Sequence, residues 1–235
     1  MDFAPMYRRP TGTLASVMSS LSGGFAQIEA QREPHAAFWD AWNRDALRHD
    51  GPLWIVLGDS SSQGIGSEDP TLGWVPQVLE RLCNDTGDPW RVVNLSITGA
   101  QFSDIVTHEL PRIDELRDAG HEAALTSLLA GANNLMAPIT WPRAASHLRT
   151  VLDHLSQPAV VARVGIDSAG NSAMARTFNR AIESAARDSA IELFWPWSWP
   201  ARDGMAEDKF HPSPKGYGYM VDVIYPAVRR ALQLD

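Results

Sequence analysis

LWIVLGDSSSQGIG, residues 53–66, is the stretch on which the fold turns. Five apolar residues in a row, without the polar alternation of a half-exposed strand, describe a strand covered on both faces. Gly58-Asp59-Ser60 then turns the chain straight into a helix start. The same pattern repeats outward from this stretch: a helix around 73–83, the strand RVVNLSI (91–97), a helix around 101–117, and the strand EAALTSLLAG (122–131). It continues with a helix around 142–155, PAVVARVG (158–165), a helix around 173–188, IELFWPW (191–197) and a last helix from about 214, which Pro226 should kink or split. Five apolar strands separated by amphipathic helices imply a five-stranded parallel sheet with helices on both faces, a three-layer α/β domain.

Upstream of residue 51 the pattern differs. Residues 1–33 are punctuated by Gly, Ser and Pro and read as a tail or a loosely packed cover, whereas HAAFWDAWNRDALRH (35–49) is helical, with Phe38 and Trp42 one turn apart. The chain therefore divides into an N-terminal extension, 1–50, in the role of a lid or dimer contact, and a domain over 51–235. A chain of 235 residues with 44% hydrophobic and 20% charged residues has globular composition, and no apolar run is long enough to span a bilayer. The net charge is −8 and the only lysines are Lys209 and Lys215, so a nucleic-acid partner lacks its counter-charge. The single cysteine, Cys83, cannot form an internal disulfide and reads as a small buried side chain late in a helix. Arg8 and Arg9 precede a segment too rich in Ser, Gly and Thr for a signal peptide, and the expected location is the cytoplasm.

In open α/β sheets ligands bind beyond the C-terminal ends of the strands, and that is where the unusual residues fall. The first strand leads to Ser60, the second to Gly99, the third to Asn133, and the loop after the fifth carries Asp208 and His211. Ser60 is the first residue to clear its strand and enters a turn whose backbone N–H groups favour developing negative charge. Ser60-Ser61-Ser62-Gln63 also fits a capping box, so these residues taken alone allow a helix cap as well as a nucleophile. A serine nucleophile needs a base, normally His, and the His needs an acceptor for its other ring nitrogen. Asp208 and His211, three apart, provide both if the loop turns, with Ser213 and Pro214 as N-cap and first residue of the last helix; an Asp-x-x-His is otherwise an ordinary helix start. The Ser60 N–H, the Gly99 N–H and the Asn133 amide are three candidate donors to an oxyanion, although Gly99 and Asn133 are equally at home in turns. The four pieces lie at one edge of the sheet, which favours the chemical reading.

GDSSSQG (58–64), NLSITGAQ (94–101), GANN (131–134) and DKFH (208–211) resemble the four blocks of the SGNH hydrolases, also called GDSL esterases and lipases. The resemblance spans roughly residue 53 to the C-terminus. It implies a flavodoxin-like doubly wound sheet, cleavage or transfer of an acyl group, Ser60 as nucleophile, His211 as general base, Asp208 as orienting acid, and Gly99 and Asn133 as oxyanion donors beside Ser60. Asn134 stands where the family usually has an Asp that braces the loop. The G-x-S-x-G elbow of the α/β-hydrolases is absent from the sequence.

Trp195, Trp197 and Trp199 in FWPWSWP (194–200), extended, would face one way close to the histidine loop, with Trp141 on the opposite wall. They would line an acyl channel, stack on a sugar, or close the end of the core. The expected substrate is a small neutral acyl ester or acylated sugar, with no cofactor and no metal. Other readings are an acyltransferase that moves the acyl group to a sugar or glycerol-type hydroxyl, a binding module without turnover, and a metal-dependent phosphoesterase built on Asp59, Asn133, Asp208 and His211. That last reading lacks the further His ligands such sites use.

Overall fold

The computed structural model of the chain describes residues 1–7, 23–136, 141–165, 173–198 and 201–234. The strands are β1 (Leu53–Gly58), β2 (Arg91–Asn94), β3 (Ala123–Leu129), β4 (Ala159–Ala162) and β5 (Ile191–Phe194). All adjacent pairs are parallel, in the order β2-β1-β3-β4-β5. This is the expected three-layer α/β sheet with the flavodoxin-like strand order, whose switch point lies between β1 and β3. Every residue of β1 is buried, as a central strand covered on both faces requires.

The helices, in chain order, are α1 (Ala4–Tyr7), α2 (Gly23–Glu29), α3 (Arg32–Ala46), α4 (Ser60–Gln63), α5 (Trp74–Thr86), α6 (Phe102–Asp104) and α7 (Leu110–Asp118). A π-helical turn, Ile105–Glu109, joins α6 to α7. After β3 come α8 (Ala132–Met136), α9 (Trp141–His154), α10 (Ala173–Ala186), α11 (Ala201–Gly204) and α12 (Pro214–Ala231). Helix α5 packs on α12, and α9 on α10. Cys83 is half-buried near the end of α5, its thiol 3.6 Å from the Trp90 carbonyl.

One expectation is narrowed and another corrected. Pro226 does not split the last helix, which runs unbroken through it. Pro226 and Asp222, whose carbonyl loses its i+4 donor, both lie on the exposed side, where that carbonyl is open to solvent, while Met220, Val221, Ile224, Ala227 and Val228 bury the opposite face. The described part of residues 1–33 is also no loose cover. Phe3, Met6 and Tyr7 are buried in the same core as the sheet, together with Trp39 of α3. Tyr7 donates to the Asn94 carbonyl at 2.5 Å, and Asn43 bonds the Asn94 main chain in both directions, at 2.8 and 2.9 Å. A lone amphipathic period missed this because the contacts join residues far apart in sequence. No helix among the described residues is long and apolar enough to cross a membrane.

Candidate active site

Ser60 opens α4, a helix of a single turn directly behind β1. The residue that caps this helix is Asp59, in extended conformation, whose Oδ1 accepts from the Ser61 N–H at 3.1 Å. The capping box suggested by Ser60 and Gln63 does not form. Gln63 instead turns its side chain away, donating to the Ser96 carbonyl at 2.9 Å and accepting from the Thr98 N–H at 3.1 Å and from the Thr98 hydroxyl. Relieved of capping, the Ser60 hydroxyl points to the histidine loop.

There it meets His211, whose Nε2 lies 2.8 Å from Ser60 Oγ, while Nδ1 lies 2.6 Å from Asp208 Oδ2. Asp208 Oδ1 accepts the N–H groups of Phe210 and His211, both at 3.0 Å. An ionised carboxylate only accepts, so Nδ1 carries the ring proton and Nε2 keeps its lone pair toward the serine. Burial pushes the Asp208 carboxyl up, but the hydrogen bond and charge of His211, with the two N–H groups, outweigh it and hold the group below the usual carboxylate range. Ser213 and Pro214 take the predicted N-cap and first helical positions, Ser213 Oγ accepting from Gly216 N–H at 3.3 Å. This pins the loop to α12.

Asn133 and Gly99 lie in the segments after β3 and β2. Asn133 Nδ2 is 3.0 Å from the Ala100 carbonyl and 3.4 Å from Asp59 Oδ2, so the amide bridges the loops after β1, β2 and β3. Gly99 is exposed with φ of +79°, in the left-handed region, and a Cβ there would meet nothing within 4 Å; glycine is used for its conformation, not for a tight contact. The Ser60 N–H has no acceptor among the described residues. Asn134, where the resemblance leads one to expect a carboxylate, buries its side chain and accepts the Phe102 N–H through Oδ1 at 3.1 Å. An amide oxygen performs that bracing bond as a carboxylate would.

Two buried acids beneath the site escaped the sequence reading in these roles. Asp59 is pushed up to about 6 by burial, against the lowering effects of the Ser61 N–H and of His211. Glu109, at the end of the π-helical turn, accepts the Gly58 N–H through Oε2 at 2.9 Å, and its Oε1 has no partner among the described residues. Burial, then the nearby Asp59 charge, drives its carboxyl well above the ordinary value. The one signal in the sequence was a charged residue between the core positions Ile105 and Leu110. No group of three His, Cys, Asp or Glu side chains gathers at a possible cation position among the described residues.

The aromatic wall is only partly as expected. The strand ends at Phe194, and Pro196-Trp197 form a turn instead of extended chain, because Pro196 cannot donate to a ladder. Trp195 packs its ring over Gly165, where a Cβ would come within 2.2 Å of it. Trp197 and Pro196 line a small crevice with Asp59, Ser61, Ala132, Val164 and Gly165, directly beside the serine turn. Trp141 begins α9; its side chain, and all of Trp199, lie outside the described residues.

Residues 56–219 match the model of the GDSL-like lipase/acylhydrolase family. Among solved structures, TesA is similar at 20% identity over 77% of this chain and 99% of its own, with a TM-score of 0.61. The psychrotrophic esterase EstA from Pseudoalteromonas sp., in a structure inhibited by monoethylphosphonate, is 18% identical over 77% and 98%, with a TM-score of 0.61. A catalytic mutant of Axe2, an acetylxylan esterase from Geobacillus stearothermophilus, is 19% identical over 79% and 96%, with a TM-score of 0.57. No curated protein sequence matches.

Proposed function

Because the chain belongs to the GDSL-like lipase/acylhydrolase family, we propose that it cleaves an O-acyl ester through a covalent acyl intermediate on Ser60. The observation that carries this reading is the unbroken line from Asp208 Oδ2 through His211 to Ser60 Oγ, with contacts of 2.6 and 2.8 Å. His211 Nε2 takes the hydroxyl proton as Oγ attacks the ester carbonyl, and the proton then passes to the leaving alkoxide as the C–O bond breaks. Asp208 holds the ring orientation and offsets the imidazolium charge. Water, deprotonated by His211, releases the acid and regenerates the serine.

The oxyanion is received by the Ser60 N–H, the Gly99 N–H and Asn133 Nδ2. Of the two Asn133 amide hydrogens, one is engaged by the Ala100 carbonyl at 3.0 Å, while the other faces the longer 3.4 Å contact with Asp59 and is the one to be redirected. The substrate proposed is a short acyl ester or an acetylated sugar, the substrate type in the name of Axe2, with Trp197 beside the serine turn as a stacking surface. The same acyl-Ser60 serves an acyltransferase if a sugar or glycerol-type hydroxyl replaces water.

Fluorophosphonate labelling followed by peptide mass analysis tests the nucleophile, and the phosphonate-inhibited structure of EstA makes this class of probe apt. An adduct on Ser60 that is absent from Ser60→Ala is expected; an adduct on another residue of the folded mutant overturns the assignment. Incubation of a short-chain acyl donor with and without a sugar then separates the acceptors, free acid marking water and acylated sugar marking transfer.

A further inference from the structure

The turn bearing Ser60 is too short to stabilise itself: one helical turn lies below the length at which helix propagation outweighs nucleation. Its carbonyls are satisfied from three directions. Those of Ser60 and Ser61 accept N–H groups of the following loop, from Ile65 and Gly64. The Ser62 carbonyl accepts from Asn94 Nδ2 at 2.7 Å, and the Gln63 carbonyl accepts from the indole N–H of Trp39 at 3.0 Å. Trp39 is wholly buried in α3, outside the matched residues 56–219.

A second contact lies on the loop that follows. Gln31, between α2 and α3, accepts the Gly66 N–H through Oε1 at 2.8 Å. Gly66, with φ of +106°, lies so close to the histidine loop that a Cβ would come within 2.2 Å of the Pro212 carbonyl oxygen and 2.9 Å of His211 Cβ. Beside it a small apolar cluster joins one residue from each of three segments: Ile28 of α2, Ile65 of the serine loop and Ala206 of the histidine loop. Ala206 in turn donates its N–H to the His211 carbonyl at 2.7 Å.

We propose that the N-terminal segment is an internal positioning element for the Ser60–His211 pair, with Trp39 holding the serine turn and Gln31 the loop that backs the histidine. The proposal rests on the reading of Ser60 as nucleophile. Neither residue touches the reacting atoms; each acts through main-chain groups of the turn or loop. Gln31 and Trp39 both lie outside residues 56–219, the part that matches the family model. Small displacements of a nucleophile from its base are costly, on the order of a hundredfold for about 1 Å.

The test is the rate of fluorophosphonate labelling at Ser60, alongside kcat and KM for a short-chain ester and thermal unfolding. Trp39→Phe, which keeps an aromatic ring and removes the N–H, and Gln31→Ala should each slow labelling and lower kcat by about tenfold or more, with KM little changed. Gln31→Glu, which keeps an acceptor for the Gly66 N–H, should restore the rate. Phe3→Leu trims the same segment's buried core without removing a hydrogen bond to the turn, and should lower the unfolding temperature while labelling at the wild-type rate. Folded Trp39→Phe and Gln31→Ala proteins that label like wild type overturn the proposal, as does a Phe3→Leu protein slowed to the same degree. Should Trp39→Phe fail to fold, the half-buried Gln31 pair decides. Wild-type protein that labels elsewhere than Ser60 overturns the nucleophile reading instead.

Discussion

Asp208 reaches the serine only through the imidazole between them, and replacing its carboxylate by an amide tests the role proposed for it. In Asp208→Asn the side-chain nitrogen can donate to Nδ1, which moves the ring proton to Nε2 and removes the acceptor that Ser60 Oγ now meets at 2.8 Å. Loss of kcat by about 10⁴-fold is expected, with the unfolding temperature measured in parallel to show that the fold is intact. Glu109 is a different kind of acid, buried, with its carboxyl driven well above the ordinary value chiefly by that burial. Its folded pKa is raised, so its contribution to stability is complete below the ordinary glutamate range and is lost as pH rises through the folded value. Glu109→Gln keeps an oxygen for the Gly58 N–H and should flatten this decline in urea unfolding. Glu109→Ala leaves that N–H buried without a partner and should destabilise at every pH, by about 1–3 kcal/mol before any cavity effect. The grouping of Ser60, Asp208 and His211 was legible in sequence because the chemistry proposed for it needs those residue types. Glu109 was not, because its role depends on which main-chain N–H it happens to face.

At the scale of the element, α4 shows how local sequence underdetermines a helix start. Both Asp59 and Ser60 are good N-cap residues, and only the direction in which the chain leaves β1 assigns the cap to Asp59 and leaves the Ser60 hydroxyl for His211. The cap carries a cost of its own. Asp59 ionises at about 6 in place of its ordinary 3.8, a difference that disfavours the buried carboxylate by about 3 kcal/mol. The sign follows from proton uptake on folding: this contribution is intact below pH 3.8 and is lost as pH rises through about 6. Asp59→Asn, which retains an oxygen for the Ser61 N–H, should therefore gain stability relative to wild type between pH 4.5 and 7.5, as read from urea midpoints at the two pH values. The aromatic strand illustrates the same limit. FWPWSWP has the spacing of one-sided extended chain, yet Pro196 ends the ladder, so Trp195 packs on Gly165 and Trp197 lines the crevice by the serine turn.

At the scale of the described molecule, the main core joins α1 and α3 to the sheet. Deleting residues 1–7 removes Phe3, Met6 and Tyr7 from it, and burial of such side chains contributes about 1.5–3 kcal/mol each. The truncated chain should unfold at distinctly lower urea concentration than the full chain, and the buried Asn43–Asn94 pair, stripped of the Tyr7 hydroxyl, should exchange its amide protons faster. An unchanged midpoint would mean that these contacts contribute nothing to stability. The apolar strands and the amphipathic segments between them determined the sheet, its parallel sense and the edge on which the reactive residues gather, because burial on one or both faces imposes a period that can be read residue by residue. Strand neighbours beyond that, the owner of the helix cap, the partner of Gly58 and the part played by residues 1–46 were decided only in three dimensions. Each rests on a hydrogen bond or packing contact between positions distant along the chain, such as Trp39 with Gln63 or Glu109 with Gly58, and no local pattern encodes which distant group will arrive.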